Sequence, residues 1–221
     1  MEPLLSEVEV RVLGALIEKQ ITTPEYYPLT LNALTAACNQ KSNREPVVDF
    51  DERAVVRALE SLRDKQLARM ISGAEMRVPK YYHLFTETLG FTPREVGVLC
   101  VLMLRGPQTV GEIRGRSGRL YEFADLAEVE ETLQGLVERE DGPVVMKLPR
   151  QVGRKESRYA QLLAGEPEIA VEEGEPQLEK ATLEVHAENE RLEQLEIQVQ
   201  DLQREVQAMR LEFEAFKKQF E

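Results

Sequence analysis

Hydrophobic positions recur at three- and four-residue spacing through most of the first 164 residues, and the breaks between these runs carry turn chemistry. Val8, Val12, Leu13, Leu16 and Ile17 form one apolar stripe. Ser6-Glu7-Val8-Glu9 opens that helix as a capping box: the Ser6 hydroxyl takes an early backbone N–H and Glu9 reaches back. The helix is expected to run to about Gln20, before Thr22-Thr23-Pro24-Glu25 stops it. Thr30 begins a second, short helix whose Leu31, Leu34 and Ala37 face inward. A third, from Glu52 to Gln66, turns Val55, Val56, Leu59, Leu62 and Leu67 to the core and leaves Arg53, Arg57, Glu60 and Arg63 nearer solvent. Ala68 to Phe85 alternates as a β-hairpin does, with its turn near Ser72-Gly73-Ala74-Glu75. Three helices and a hairpin make one winged helix-turn-helix unit.

The pattern then repeats. Thr92-Pro93-Arg94-Glu95 opens a helix through Leu104, and Thr109-Val110-Gly111-Glu112 is a capping box for a short second one. Asp125 to Arg139 gives the third, with Leu126, Val129, Leu133, Leu136 and Val137 inward, and Val144 to Leu163 supplies a second hairpin. Leu13 and Leu99, Thr30 and Thr109, Leu62 and Leu136, and Tyr82 and Tyr159 are the equivalent pairs. The expected fold is therefore mainly α with small β-hairpins, an α+β chain of two tandem winged-helix domains, residues 1–88 and 89–164.

Residues 165–177 hold two Gly, two Pro and five Glu with no base, the composition of a solvated linker. From 178 to 221 a heptad runs with Leu192, Val199, Val206 and Phe213 at a and Leu195, Leu202, Met209 and Phe216 at d. Val at a with Leu at d favours a parallel two-stranded coiled coil, and Arg191 with Glu196, Glu205 with Arg210 and Glu212 with Lys217 are attractive pairs across it. These positions are the candidate oligomerisation residues of a homodimer. The same stripe also suits a groove on the chain's own globular part.

Charge changes the picture once it is divided. The net −12 is hostile to nucleic acid, but residues 165–221 hold 16 Asp/Glu against 6 Lys/Arg, leaving the first 164 residues close to neutral. The longest apolar run, Val96 to Leu104, is half the roughly 18 residues a spanning helix needs. With no basic, apolar leader at Met1-Glu2-Pro3-Leu4, a cytoplasmic address is expected and no membrane partner. Cys38 and Cys100 sit in apolar helical patterns without CxxC or Cys/His clustering, the setting of buried reduced thiols.

The segment Ala37-Cys38-Asn39-Gln40-Lys41-Ser42-Asn43-Arg44-Glu45-Pro46 resembles the YceH-like family of uncharacterised bacterial proteins. The likeness continues through Glu18-Lys19-Gln20, Leu104-Arg105-Gly106, Tyr121-Glu122-Phe123, Arg139-Glu140-Asp141-Gly142-Pro143 and Glu156-Ser157-Arg158-Tyr159, and so spans residues 1 to 164. It implies two tandem winged helices, often followed by a helical tail, and brings no reaction or ligand with it.

A winged helix that reads DNA lays its third helix in the major groove and rests its wing on phosphates. In the first domain that points to Lys41, Asn43, Arg44, Arg53 and Arg57, diluted by Glu52 and Glu60. In the second, Glu128, Glu130, Glu131 and Glu138 make the third helix repel phosphate, so the wing residues Lys147, Arg150, Arg154, Lys155 and Arg158 are the better contacts. Asn39, Gln40, Ser42 and Asn43 have two uses, reaching bases or phosphates and fixing turns through the backbone. Tyr26, Tyr27, Tyr81 and Tyr82 are expected to be packing aromatics with wet hydroxyls.

His83 and His186 are the only histidines, and no Ser/His/Asp, paired-carboxylate, metal-ligand or Walker spacing accompanies them. The sequence therefore predicts no enzyme, no cofactor and no metal. It predicts a self-associating DNA-binding protein with a role in transcription regulation, with a protein-binding adaptor like the winged-helix subunits of chromosome-condensation complexes as the alternative.

Overall fold

The computed structural model describes residues 5–73, 77–150 and 156–167. The acidic linker from residue 168 and the whole heptad segment lie outside the described residues, as do the tip of the first hairpin and Arg154 and Lys155 of the second. The described chain is α+β, with seven α-helices and two small antiparallel sheets. Its order is α1 (Glu7–Thr22), β1 (Leu29–Thr30), α2 (Leu31–Cys38), α3 (Glu52–Asp64), β2 (Ala68–Ile71), β3 (Lys80–His83), α4 (Phe85–Leu89), α5 (Pro93–Arg105), α6 (Val110–Ser117), α7 (Leu126–Val137), β4 (Val145–Lys147) and β5 (Tyr159–Gln161).

The helix starts follow their caps. Ser6 and Glu9 bond reciprocally at the start of α1, and Thr109 and Glu112 do the same at α6. Thr30, Asp51 and Asp125 each accept a backbone N–H at the first turn of α2, α3 and α7. Left-handed Gly90 (φ 66°) ends α4, a conformation free of penalty only without a Cβ.

The two halves repeat in their strand pairing. Leu29 pairs with Tyr81 immediately before the Thr30 cap, and Gln108 pairs with Tyr159 immediately before the Thr109 cap. The partner of Tyr159 in the repeat is thus Tyr81, one residue from the expected Tyr82. Leu13 and Leu99, and Leu62 and Leu136, are fully buried at matching places in α1, α5, α3 and α7.

The halves share one core. One continuous cluster of buried apolar side chains runs from Leu5 to Leu163, with α1 packed against α5 at its middle. α1 is therefore buried on all sides from Glu9 to Ile17 rather than along one stripe, and α5 is buried from Val96 to Leu104. Leu13, Leu16 and Ile17 have no exposure at all, and burying each is worth about 2 kcal/mol. Close approach needs Gly14: a Cβ there would lie 3.0 Å from Leu104 Cδ2 and 3.1 Å from Met103 Cβ.

Several expected placements are corrected. Leu126, read as inward, is 48% exposed because it is the first residue of α7, ahead of the turn that meets the core. Tyr26 is 71% exposed rather than packed, whereas the Tyr27 hydroxyl is tied down, accepting the His83 N–H at 2.8 Å. Phe85 does not extend the hairpin but opens α4, fully buried and stacked on Phe91 at 4.9 Å. Cys38 and Cys100 are buried free thiols; burial pushes the Cys38 thiol up to about 12, and the Cys100 thiol donates to the Gly14 carbonyl at 3.6 Å.

Candidate nucleic-acid interface

The residues expected to meet phosphate separate into three groups. Arg53 and Arg57 are exposed on α3, one helical turn apart, on the side opposite buried Val55, Leu59 and Leu62. Neither has a hydrogen-bond or ion-pair partner among the described residues. Lys41, Lys147 and Arg150 are also exposed; the Lys147 ammonium lies 5.7 Å from the centre of the Tyr159 ring.

The second group is folded back onto the protein. Arg158 donates to the Pro107 carbonyl at 2.7 Å and to Glu112 Oε1 at 3.3 Å, fixing β5 to the start of α6. Burial raises the Glu112 carboxyl, but the Thr109 N–H and the guanidiniums of Arg158 and Arg116 outweigh it and hold its pKa below the usual carboxylate value. Asn43 is exposed at φ 59°, a left-handed position that Asn tolerates better than most residues, yet its groups are occupied. Its carbonyl accepts from Arg44 and its side-chain oxygen from Arg105.

Arg44 is the outright correction, since it is 6% exposed and offers nothing to a duplex. Its Nε donates to the Ala37 carbonyl at 3.1 Å, and its Nη atoms reach Glu18 at 3.1 and 2.6 Å and Gln40 Oε1 at 3.2 Å. The bidentate pairing is the geometry a guanidinium offers a carboxylate. Burial raises the Glu18 carboxyl, but Arg44 with help from Lys19 outweighs it, so Glu18 stays ionised below its ordinary pKa.

The whole Cys38–Pro46 segment is a structural joint. Asn39 exchanges two hydrogen bonds with the backbone of Phe50, at 2.8 and 2.9 Å, closing the loop before α3. Arg11, buried in α1, donates to the Cys38 and Pro46 carbonyls at 3.3 and 2.7 Å. Glu45 then donates its N–H to the Leu104 carbonyl at 2.9 Å, tying the loop to α5 in the other half. Asn39 shows the backbone use, whereas Gln40 Oε1 accepts from Lys19 and Arg44 and the Asn43 side-chain oxygen from Arg105. Sequence reading missed the buried partners Arg11 and Glu18 and the Lys65 contact of Glu9; their signal was polar residues set in an otherwise apolar helix.

On the acidic α7, Glu128 accepts from the Tyr121 hydroxyl and the Ala124 N–H, both at 2.9 Å, and Glu131 pairs with Arg94 at 3.3 Å. Glu130 and Glu138 are exposed. Among the described residues no cluster of three metal-ligating side chains occurs, and no helix is long and apolar enough to cross a membrane.

Comparison with known proteins agrees with the motif resemblance. Residues 5–154 match the family described as "Protein of unknown function, DUF480". A UPF0502 protein of Geobacter sulfurreducens is 57% identical over 222 residues and one of Geotalea daltonii 59% over 221, each alignment covering 100% of both chains. A UPF0502 protein of Opitutus terrae is 55% identical over 175 residues, 79% of this chain and 76% of its own. The chain belongs to this DUF480 (UPF0502) family of bacterial proteins.

Proposed function

We propose that this is a non-enzymatic protein of two tandem winged helices that binds double-stranded DNA as a regulator, entering the major groove with α3 and resting the β4–β5 hairpin on phosphates. The observation that carries the reading is the pair Arg53 and Arg57, exposed one turn apart on the outer face of α3 with no competing partner among the described residues. Lys147 and Arg150 on the second hairpin supply exposed positive charge of the kind that tracks a phosphate backbone. Self-association through the heptad residues Leu192 to Phe216 would pair two such surfaces about a two-fold axis, and the target would then be a rough palindrome.

Titration of labelled duplex over a range of salt tests it. The logarithm of the affinity falls linearly with the logarithm of salt if several cations displace counterions, and absence of binding at low salt overturns the reading. A second reading, a protein-binding adaptor, is favoured by exposed Glu130 on α7 and exposed Glu138 just past its end, which repel phosphate and suit a basic protein segment. Capture of a basic protein segment by a chain that ignores duplex at low salt distinguishes this adaptor.

A further inference from the structure

The structure contains a polar cleft that none of the roles above uses. It has a volume of about 430 Å³ and is walled by the end of α1, the joint after α2, the end of α5 and the end of α6. Lys19, Arg105, Arg116 and Arg119 come to it from different places in the chain, against the single carboxylate of Glu18, which Arg44 already neutralises. Val101 and Leu104 supply apolar wall, and Gln40, Ser42 and Asn43 set amides and a hydroxyl at its lining.

The cations are incompletely satisfied by the protein. Arg119 is exposed and has no partner among the described residues. Lys19 is held only loosely, 3.6 Å from Glu18 and 3.4 Å from Gln40. Arg116 bonds Gln108 and lies 3.6 Å from Glu112. Arg105 reaches Asn43, a neutral partner, and burial together with its positive neighbours Arg116 and Arg44 lowers its pKa from the ordinary guanidinium value. Like charges gathered in a concave, partly dry place are a standing repulsion that an anion relieves.

We propose that this cleft binds a small phosphorylated ligand of two or more negative charges, about the size of a nucleoside polyphosphate. The volume lies in the range of small-molecule sites and is far too small for a duplex. Guanidinium forks match phosphate oxygens bidentately, and the exposed Ser42 hydroxyl, without a partner among the described residues, is open to a sugar edge. Arg116 lies near Glu112 and Lys19 near Glu18, which leaves Arg105 and Arg119 without a carboxylate partner and suits a ligand of two or more negative charges. The site is independent of whether DNA is bound, but its position between α1, α5 and the Cys38–Pro46 joint lets an occupant act on the contact between the halves.

The test is calorimetric titration of the full chain with inorganic pyrophosphate, adenosine triphosphate and citrate at low salt. Pyrophosphate and the nucleotide are expected to bind saturably and to raise Tm. Arg119→Glu and Lys19→Glu, at an exposed and a partly exposed position after α6 and in α1, are each expected to weaken binding by roughly tenfold or more while the protein remains folded by circular dichroism. Arg94→Glu, remote from the cleft, serves as the control and is expected to leave the affinity unchanged. No saturable binding of any probe, or affinity unchanged in either cleft variant, overturns the proposal. Citrate binding as tightly as pyrophosphate keeps the anion site and overturns its assignment to phosphate.

Discussion

The guanidinium of Arg44 grips the carboxylate of Glu18 with two hydrogen bonds, 3.1 and 2.6 Å long, at a place where the arginine side chain has no solvent exposure. A buried pair of this kind adds little over a well-packed apolar pair, but removing one member strands the other. Arg44→Ala is therefore expected to cost about 3 to 5 kcal/mol of unfolding free energy in urea titration. Glu18→Gln, which keeps shape and one acceptor, is expected to cost less. A loss below about 1 kcal/mol for Arg44→Ala would show that the pair does not anchor the joint.

Two glycines inside helices carry opposite predictions, Gly14 at the α1–α5 contact and Gly135 on α7 away from it. Gly14→Leu must displace Leu104 and Met103, and is expected to destabilise by about 3 kcal/mol through overpacking. Gly135→Ala in α7 meets nothing within 4 Å and is expected to stabilise by about 0.5 to 1 kcal/mol through helix propensity. Thermal denaturation of the two variants checks both signs.

His83 supplies a pH signature. It is 2% exposed, with Nε2 2.6 Å from Gln20 Oε1 and Nδ1 accepting the Phe85 N–H at 3.2 Å, so a second ring proton would oppose that N–H. Burial lowers its pKa from 6.5 to about 4, so between these values the unfolded chain takes up a proton that the folded chain refuses. Stability is accordingly full above pH 6.5 and falls by about 3 kcal/mol as the pH drops to 4. The Glu9, Glu18 and Glu112 carboxyls are held below their ordinary pKa, so their contributions are lost as the pH falls through the carboxylate range. In His83→Gln the slope between pH 6.5 and 5 is expected to vanish in urea titrations; its persistence would assign the effect elsewhere.

For DNA, Arg53→Glu with Arg57→Glu is expected to flatten the salt dependence of duplex binding by about two counterions and to weaken it at every salt concentration. Arg44→Met gives the contrast: any loss of binding should follow loss of stability and leave the salt slope of the folded fraction unchanged. A wild-type slope in the double variant removes α3 as the contact.

Local chemistry was the legible part. Ser6 with Glu9 and Thr109 with Glu112 could be read because each involves residues three apart, and the α3 stripe because one face alone is buried. What escaped depends on contacts distant in sequence. Arg11 and Glu18 are polar residues without a visible partner in the sequence until the Cys38 carbonyl and Arg44 are brought to them, and Glu9 gains Lys65 in the same way. The same is true of Arg44, whose basic, loop-borne setting reads as a phosphate ligand when its carboxylate lies 26 residues away. The run Val96 to Leu104 carried the missing clue: a helix apolar all round needs neighbours all round, and α1 is one of them. The cleft was illegible for a related reason, since Lys19, Arg105 and Arg119 are neighbours only once α1 and α5 have crossed.

Because the first helix of each half is the other's wall, the molecule carries a built-in ruler. The separation between the arginines of α3 and the lysine of β4 is set by helix faces meeting at Gly14 and by the Glu45–Leu104 bond, and owes little to the short stretch from Leu89 to Thr92. Any partner gripped at both ends must fit that one span, and lengthening the connection between the halves would leave the gauge unchanged.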